Sequence, residues 1–251
     1  MMRYYEVFGY RKPVIAMLHM KGDARKSPLE RAKEETELYL SRGVDAVLVE
    51  NYFGSAEDCR QVLDWLSRQS GALCYGVNIL GDMDLGFRLA REYGAAFLQL
   101  DSVCGHLAPF QDDLFARKLA QLRKTFDGAV LGGVRFKYQP VCSGRTEEED
   151  LRLGMERCDA VVVTGTGTGI GTPVEKMRRF RKTLGDFPMV VGAGCTVETV
   201  PETFEVGDGA IVGSYFKEAH NAMGDVEAAY VARFLEAKRQ WERSRVSWNR
   251  S

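Results

Sequence analysis

The sequence predicts a single-domain (β/α)8 TIM barrel, an α/β fold, and three observations lead to that fold class. The chain has 251 residues, which fits one such barrel better than two small domains. Eight short apolar segments alternate with amphipathic segments of helical period, as repeated βα units require. The apolar segments are nearly continuous runs of Val, Ile, Leu and Ala, typical of parallel strands buried on both faces. A doubly wound sheet shares the last two features, but no early G-x-G-x-x-G opens a first helix.

The elements follow one another without a Pro-, Gly- or Ser-rich linker, so residues 1–251 are predicted to form one domain. The predicted strands are Val14–Met20, Ala46–Asn51, Cys74–Leu80, Ala96–Asp101, Val130–Tyr138, Ala160–Gly165, Met189–Ala193 and Ala210–Ser214. The predicted helices are Leu29–Arg42, Ala56–Gln69, Met83–Tyr93, Asp112–Phe126, Glu147–Arg157, Pro173–Leu184, Val200–Glu205 and Val226–Trp241. We expect Tyr4–Arg11 to cover the amino-terminal end of the barrel and residues 242–251 to form a frayed tail.

The composition favours small-molecule partners. With 45% hydrophobic residues, 27% charged residues and a formal net charge of -1, nothing indicates disorder, nucleic-acid binding or a polybasic membrane surface. The six cysteines form no C-x-x-C pair, which indicates reduced thiols in a cytoplasmic protein. The N-terminus lacks a signal-peptide pattern, and no apolar stretch is long enough to predict a membrane span. Barrels of this type often form homo-oligomers, but the sequence identifies no interface.

Two glycine-containing turns follow the seventh and eighth predicted strands, in PMVVGAGCTVETV (188–200) and DGAIVGSYFK (208–217). Small residues let backbone amides approach a ligand closely, and Thr196 is placed to cap the next helix. Many barrels hold a phosphate at this position. A purely structural barrel, whose glycines only serve turns, is the alternative. The predicted phosphate-binding residues are Gly192, Ala193, Gly194, Gly213 and Ser214.

Catalytic groups in such barrels come from the carboxyl ends of strands. Glu50 interrupts the apolar AVLVEN, where burial would raise its pKa towards general-base chemistry, unless it forms a buried salt bridge or a cap. Lys137, in VRFKYQP, can balance a phosphate, pair with Glu50 or Asp101, or form a Schiff base. Asp101 is a second acid, the acceptor of a substrate hydroxyl, or a helix or loop cap, and His19 is catalytic or structural. The predicted catalytic residues are Glu50, Lys137, Asp101 and His19.

Polar residues at other strand ends are candidates for binding substrate. Asparagine at a strand end either binds ligand hydroxyls or caps its own backbone. The run TGTGTGIG, residues 164–171, can form an anion-binding backbone nest, although it lacks the G-K-[ST] ending of a P-loop; a flexible connection is the alternative. The predicted substrate-binding residues are Asn51, Asn78, Thr164, Gly165, Thr166 and Gly167.

The remaining histidines and potential metal ligands contribute little to the predicted site. His106 and His220 lie in polar loops and are interpreted as surface residues, with a mobile lid as the alternative for His106. No cluster of His, Cys, Asp or Glu has zinc-site spacing, so no metal and no cofactor is predicted. A divalent cation bridging a phosphate and a carboxylate stays open.

Taken in order, several segments resemble the BtpA/SgcQ family over nearly the whole chain. They are KPVIAMLHM, GVDAVLVEN, YGVNIL, the strand with Lys137, DAVVVTGTGTG, VVGAGCTVETV and DGAIVGSYFK. The family is named from a cyanobacterial photosystem I biogenesis factor and a bacterial sugar-metabolism operon. The resemblance implies a ribulose-phosphate-binding barrel with its phosphate at Gly192–Thr196 and Gly213–Ser214. It also implies that Glu50, Asn51, Asn78 and Lys137 lie in the barrel mouth.

Three loops depart from the family pattern. KGDARKSP replaces a Pro- and Gly-rich loop after the first strand, and YFGSAEDC replaces a D-x-P-F-like segment after the second. QLDSVCGHLAPFQDD stands where the fourth strand of the family ends in a basic, Asn-containing pattern. A retained phosphate anchor beside altered loops indicates a different substrate or subfamily.

Two functional hypotheses result from the sequence. The first is an enzyme acting on a phosphorylated sugar or nucleotide-like metabolite, with Glu50 and Lys137 as base and acid or electrostatic partner. Proton transfer, lyase chemistry and glycosidic-bond cleavage would all suit such a site. The second is a non-catalytic assembly or regulatory factor, in which Glu50 and Lys137 would be dispensable.

Overall fold

A computed structural model describes residues 3–9, 11–69 and 73–248. Eight parallel strands close into a barrel in sequence order, with the eighth pairing with the first. The strands are β1 Val14–His19, β2 Ala46–Glu50, β3 Tyr75–Asn78, β4 Phe97–Cys104, β5 Ala129–Val134, β6 Ala160–Val163, β7 Met189–Val191 and β8 Gly209–Val212. The predicted single-domain (β/α)8 barrel is confirmed.

Helices alternate with the strands around the barrel and cover it on the outside. They are α1 Arg3–Phe8, α2 Pro28–Arg42, α3 Ala56–Ser67, α4 Met83–Glu92, α5 Pro109–Arg123, α6 Glu147–Arg157, α7 Val174–Leu184, α8 Val200–Val206 and α9 Ala228–Trp248. Two short 3₁₀ turns, Ser214–Phe216 and Glu218–His220, lie between β8 and α9. All eight predicted helices are present, and α6 has the predicted bounds.

Capping boxes set the start of three helices. Ser27, Ser55 and Thr146 each accept a hydrogen bond from the backbone three residues later, and the acidic side chain at that later position bonds back to the cap backbone. These reciprocal bonds satisfy amides that would otherwise lack a partner at a helix start. The loops that enter α2, α3 and α6 therefore have defined ends close to the barrel mouth.

Helix α1 covers the amino-terminal end of the barrel. The hydroxyl of Tyr4 donates to the Asp208 carbonyl oxygen, directly before β8, at 2.7 Å. Tyr4 and Phe8 are buried against inward-facing side chains such as Ile15 and Phe97. The expectation for Tyr4–Arg11 is thus confirmed over α1, while Tyr10 lies outside the described residues. The axis of the barrel is packed with side chains, as this fold requires.

All eight strands differ from their predicted bounds, six of them by at most two residues at either end, and the larger differences in β4 and β5 have identifiable features. β5 ends at Val134 rather than Tyr138 because Arg135 has a φ of 47°, in the left-handed region that a strand cannot contain. β4 continues past Asp101 to Cys104, with an irregularity in its pairing to β5 after Leu100. These changes place Lys137 in a turn and Asp101 inside a strand.

Residues 242–248 of the predicted tail are helical and continue α9. Side-chain pairs support this extension, with Glu236 bonding to Arg239 and Arg243, and Lys238 bonding to Glu242. Such pairs at helical spacing stabilise exposed turns. Residues 249–251 of the predicted tail lie outside the described residues.

Candidate functional site

A cavity of about 590 Å³ lies at the carboxyl ends of the strands. Its volume falls within the range usual for small-molecule sites. Side chains from β1, β2 and β4 form one part of its wall, and backbone from the loops after β7 and β8 forms another. Its charged and titratable lining residues include His19, Glu50, Asp101, Lys137, Glu198, Tyr215, His220 and Arg233.

Two carboxyl groups in the cavity share one amide. The side-chain nitrogen of Asn78 donates to Glu50 Oε2 at 2.7 Å and to Asp101 Oδ1 at 3.0 Å. Glu50 and Asn78 are direct neighbours in the β2–β3 register, so the barrel itself sets their spacing. Asn78 is buried and does not line the cavity among the described residues. Its contacts make it a support for the acidic pair.

The environment of Glu50 suits acid–base chemistry. Burial, together with the negative charge of Asp101, raises the pKa of Glu50 to about 7, against the opposing effects of the Asn78 hydrogen bond and Lys137. A carboxyl group that titrates near neutrality can both accept and donate a proton at physiological pH. Glu50 also lines the cavity, so a bound molecule can reach it.

His19 stands next to Glu50 as a neutral imidazole. It ends β1 in register with Glu50, and its Nε2 lies 3.8 Å from Glu50 Oε1. Burial lowers the pKa of His19 to about 3, and the positive charges of Lys217 and Lys137 add to this shift. The rings of Tyr52 and Phe53 pack edge-on against it. A neutral histidine can donate a hydrogen bond from one ring nitrogen and accept one at the other, but it carries no imidazolium proton at neutral pH.

Lys137 reaches the cavity from the turn after β5. Its Nζ donates to Thr168 Oγ1 at 3.2 Å, and its backbone N donates to Thr164 Oγ1 at 2.9 Å. Within the described residues it forms no ion pair with Glu50 or Asp101 within 4.0 Å. Its charge therefore faces the cavity without a carboxylate partner in that part of the chain.

Of the glycine- and threonine-rich run, only the later part lines the cavity. Thr168 and Gly169 lie in the wall, whereas the predicted substrate-binding residues of this run do not. Thr164 is buried, and its carbonyl oxygen accepts from Lys176 Nζ at 2.8 Å. The residues outside the lining are Thr164, Gly165, Thr166 and Gly167.

Asn51 also lies outside the cavity lining. Its side-chain oxygen accepts from the backbone N of Leu80 at 2.7 Å, which ties the loop after β2 to the loop after β3. This is the capping alternative recognised for asparagine at a strand end.

The predicted phosphate-binding residues form a continuous part of the wall. Gly192, Ala193, Gly194, Gly213 and Ser214 all line the cavity. The expected cap at Thr196 is wrong, because α8 begins only at Val200 with Thr199 as the preceding residue. Thr199 Oγ1 instead accepts from the Thr196 backbone N at 2.9 Å. The wall is therefore an extended turn rather than a direct strand-to-helix junction.

Gly194 is required by packing between two loops. It has a φ of 63°, and a Cβ at this position would lie 2.3 Å from the backbone N of Gly171. No side chain fits such a contact without movement of the backbone. The absence of a side chain at Gly194 thus has a structural reason that is independent of any ligand.

Several lining residues were missed or misjudged from the sequence. His220, interpreted as a surface residue, is exposed but borders the cavity, and its ring stacks on Tyr215 with centroids 4.6 Å apart. Gln99 is two residues from Asp101 and shares its face of β4, a signal that strand alternation provides. Arg233 comes from α9, where no local pattern marks it. His106 packs edge-on against Phe115 and is outside the lining.

Two other kinds of site are absent from the described residues. No group of three or more His, Cys, Asp or Glu residues in this part of the chain is placed to hold a metal ion. Among the same residues, no helix has the length and apolar character needed to cross a membrane.

Known structures share this architecture at low sequence identity. An archaeal fructose 1,6-bisphosphate aldolase superimposes with a TM-score of 0.60 at 14% identity, covering 94% of this chain and 97% of the aldolase chain. Phosphoribosyl anthranilate isomerase from Thermus thermophilus gives 0.60 at 14% identity, covering 91% and 98%. At such identities the likeness establishes the barrel fold alone.

Sequence comparison is more specific. An uncharacterized protein of Thermococcus kodakarensis is 29% identical, covering 94% of this chain and 98% of its own. The photosystem I biogenesis protein BtpA of Synechocystis is 23% identical, with coverages of 97% and 93%. The sgc region protein SgcQ of Escherichia coli is 24% identical, with coverages of 92% and 96%. The BtpA family model matches residues 10–240, which span all eight strands, so this chain belongs to the BtpA family.

Proposed function

We propose that the protein is an enzyme acting on a phosphorylated sugar or nucleotide-like metabolite. The observation that carries the proposal is the arrangement of one cavity. Two carboxyl groups joined through Asn78 lie on one side, the glycine-containing backbone after β7 and β8 lies on another, and Lys137 stands between them in strand order. A phosphate held by the backbone wall would direct the rest of the molecule towards Glu50.

The chemistry of this proposal is proton transfer. Glu50, with its pKa raised to about 7, acts as general base or acid at a carbon or oxygen of the substrate. Asp101 is the second acid or the acceptor of a substrate hydroxyl, and Lys137 stabilises negative charge that develops in the transition state. Isomerisation, lyase chemistry and glycosidic cleavage all use such a set of groups.

The first test is a thermal-shift screen with inorganic phosphate, sugar phosphates and nucleotides. A ligand that binds only the folded protein raises its apparent stability, by about 2.7 kcal/mol at 100 times Kd. Ser214, which is buried and lines the cavity, offers a matched pair of variants. Ser214→Asp places a negative charge at the proposed anion site. Asparagine is close to aspartate in size but uncharged, so Ser214→Asn controls for the change in side-chain volume.

We expect at least one phosphorylated compound to stabilise the wild type and Ser214→Asn but not Ser214→Asp. Compounds that pass are then incubated with the wild type, and the products are followed by phosphorus NMR and mass spectrometry. The proposal fails if no phosphate compound stabilises the wild type, or if the two variants respond alike.

The alternative is a non-catalytic assembly or regulatory factor. It is favoured by the name of the Synechocystis relative, a photosystem I biogenesis protein, and by exposed apolar side chains in loops at the mouth such as Phe53, Ile170 and Met223. If this is the function, Glu50→Gln and Lys137→Met variants will complement a deletion strain fully. Loss of complementation in both variants, with normal folding, favours the enzyme.

A further inference from the structure

Arg233 differs from the other arginines of helix α9 whose side chains the structure describes. Arg239 and Arg243 both form ion pairs with Glu236, and Arg245 forms one with a residue of α8. Arg233 is exposed and forms no ion pair with a carboxylate within the described residues. Exposed arginines on a helix are commonly paired at helical spacing, as the other three are. The charge of Arg233 is therefore free to act on a ligand.

Arg233 lines the cavity together with the turn after β8. It shares the cavity wall with Gly213 and Ser214. Its guanidinium carbon lies 5.5 Å from the centroid of the Tyr230 ring, at the distance of a cation–π contact. Tyr230 contacts Tyr215 in turn, with ring centroids 6.1 Å apart, and Tyr215 directly follows Ser214. A short chain of contacts thus connects the guanidinium to the turn that contains the predicted anion site.

Helix α9 packs closely against this turn. The ring of Phe234, the residue after Arg233, lies 5.9 Å from that of Tyr215 and 5.5 Å from that of Phe216. The backbone N of Glu227 donates to the Phe216 carbonyl oxygen at 2.8 Å. Because Phe234 is completely buried, the helix cannot rotate about its axis without exposing this ring. The backbone of Arg233 therefore has a set position relative to the turn.

A second cation reaches the same turn from the loop after β6. Lys137 Nζ donates to Thr168 Oγ1 at 3.2 Å. The adjoining Gly169 lies next to Ser214, since a Cβ on Gly169 would be 3.5 Å from Ser214 Oγ. Ser214 thus lies between the loop that contacts Lys137 and the segment on which the helix of Arg233 packs. An anion at Ser214 would be approached by positive charge from two separate elements.

One carboxylate in this part of the wall opposes the binding of an anion. Glu198 lines the cavity, and a hydrogen bond with the Thr196 side chain lowers the pKa of Glu198, so it is ionised at neutral pH. Within the described residues it forms no ion pair with Arg233. Beside the charges of Lys137 and Arg233, the charge of Glu198 leaves this part of the wall positive.

We propose that Arg233 is a phosphate-binding residue, whose guanidinium closes the anion site on the side facing solvent and selects substrates that carry a phosphate group. The planar guanidinium donates two parallel hydrogen bonds to phosphate oxygens, which an ammonium group cannot do. The backbone of the turns supplies donors without net charge, and Arg233 supplies the charge. This inference rests on the proposed function, because it takes from it the anion site at Gly213 and Ser214.

The experiment uses inorganic phosphate as the probe. Its dissociation constant is measured for the wild type and for Arg233→Met by a phosphorus NMR titration at low salt. Methionine keeps the apolar stem but removes the charge and both hydrogen bonds. We expect the dissociation constant to rise by about 10-fold or more, as for loss of a hydrogen bond between charged groups. Since Arg233 is exposed, the variant should fold normally, and circular dichroism checks this.

Two further variants separate a direct contact from the general charge of the protein. Arg239→Met removes one positive charge from an exposed position of the same helix that is not part of the cavity lining. It should change the dissociation constant by less than about twofold, because exposed charges at a distance are screened. Arg233→Lys keeps the charge without the planar fork, so a rise of about threefold is expected. Equal losses in Arg233→Met and Arg239→Met would overturn the proposal.

The remaining outcomes distinguish this proposal from the proposed function. Unchanged phosphate binding in folded Arg233→Met overturns the role of Arg233, while the proposed function stands if Ser214→Asp still prevents binding. Weakened binding in Arg233→Met together with normal binding in Ser214→Asp supports Arg233 as an anion-binding residue and refutes the anchor after β8. A wild type that binds neither inorganic phosphate nor any sugar phosphate refutes both.

Discussion

The two sides of the cavity are built by different means. On the side of β1 to β4, buried side chains contact one another, as in the group formed by Glu50, Asn78 and Asp101, and burial together with the charge of Asp101 raises the pKa of Glu50. On the side of β7 and β8, the wall includes a set of residues with little or no side chain: Gly192, Ala193, Gly194, Gly213 and Ser214. Under the proposed function, the first side moves protons and is sensitive to charge, whereas the second binds an anion and is sensitive to volume. Substitutions should therefore have different consequences on the two sides.

Glu50→Gln should have the largest effect, which is a fall in the turnover rate. This change keeps the shape and the contact with Asn78 but removes the group that titrates near neutrality. General acid–base catalysis typically contributes about 10²- to 10⁴-fold, so kcat should fall by that amount with whichever substrate the screen identifies. Phosphate binding at the backbone wall should persist in thermal-shift measurements. A variant with full activity would remove Glu50 from the mechanism.

Gly194→Ala should produce the largest loss of stability, about 4 kcal/mol in the free energy of unfolding. The new Cβ would collide with the Gly171 backbone and occupy a left-handed conformation. Gly213→Ala is the matched control, because its Cβ would meet the Met17 side chain at 3.3 Å, which can shift; about 1 kcal/mol is expected. Urea denaturation measures both. Equal losses would mean that the two turns are similarly packed.

The protonation of Glu50 should appear in the pH dependence of stability. Glu50 stays protonated in the folded chain up to about pH 7, whereas the unfolded carboxyl ionises near its ordinary value of 4.5. The unfolded state loses its proton first, so the wild type should lose about 3 kcal/mol relative to Glu50→Gln between pH 4.5 and pH 7. His19 is present in both proteins and largely cancels. A constant difference in unfolding free energy across this range would mean an ordinary Glu50 pKa.

The smallest expected effect concerns Asn51. Asn51→Ala removes the acceptor for the Leu80 amide and should cost about 1 kcal/mol of stability. Because Asn51 lies outside the cavity lining, the ligand-induced thermal shift should not change. Asn78→Ala is the informative comparison. It removes the amide that donates hydrogen bonds to both carboxyl groups, so the turnover rate should fall. Reduced ligand binding by Asn51→Ala would mean that Asn51 is part of the ligand-binding site.

The two asparagines show how far the sequence could predict the site. Both follow apolar runs, and both were predicted to bind substrate. Neighbouring residues of a strand point to opposite faces, so Glu50 and Asn51 cannot both face the interior. Asn78, in register with Glu50, does face it. Alternation within each strand was thus available from the sequence, but the register between strands, which brings Asn78 to Glu50, required the closed barrel.

Other differences between the predicted and the observed structure have causes that the local sequence does not reveal. The end of β5 at Val134 follows from a left-handed turn at Arg135, a residue type that gives no warning of it. His220 and Arg233 reach the cavity because the chain returns over the mouth after β8. The fold could be predicted from the sequence because its eight strands share one apolar pattern. The site could be predicted only where a polar residue interrupts that pattern.

The packed amino-terminal end of the barrel limits how small molecules can enter and leave the cavity. With Tyr4 and Phe8 buried beneath an axis filled by side chains, the interior of the barrel offers no passage from one end to the other. Under the proposed function, substrate therefore enters and product leaves through the same opening, at the carboxyl ends of the strands.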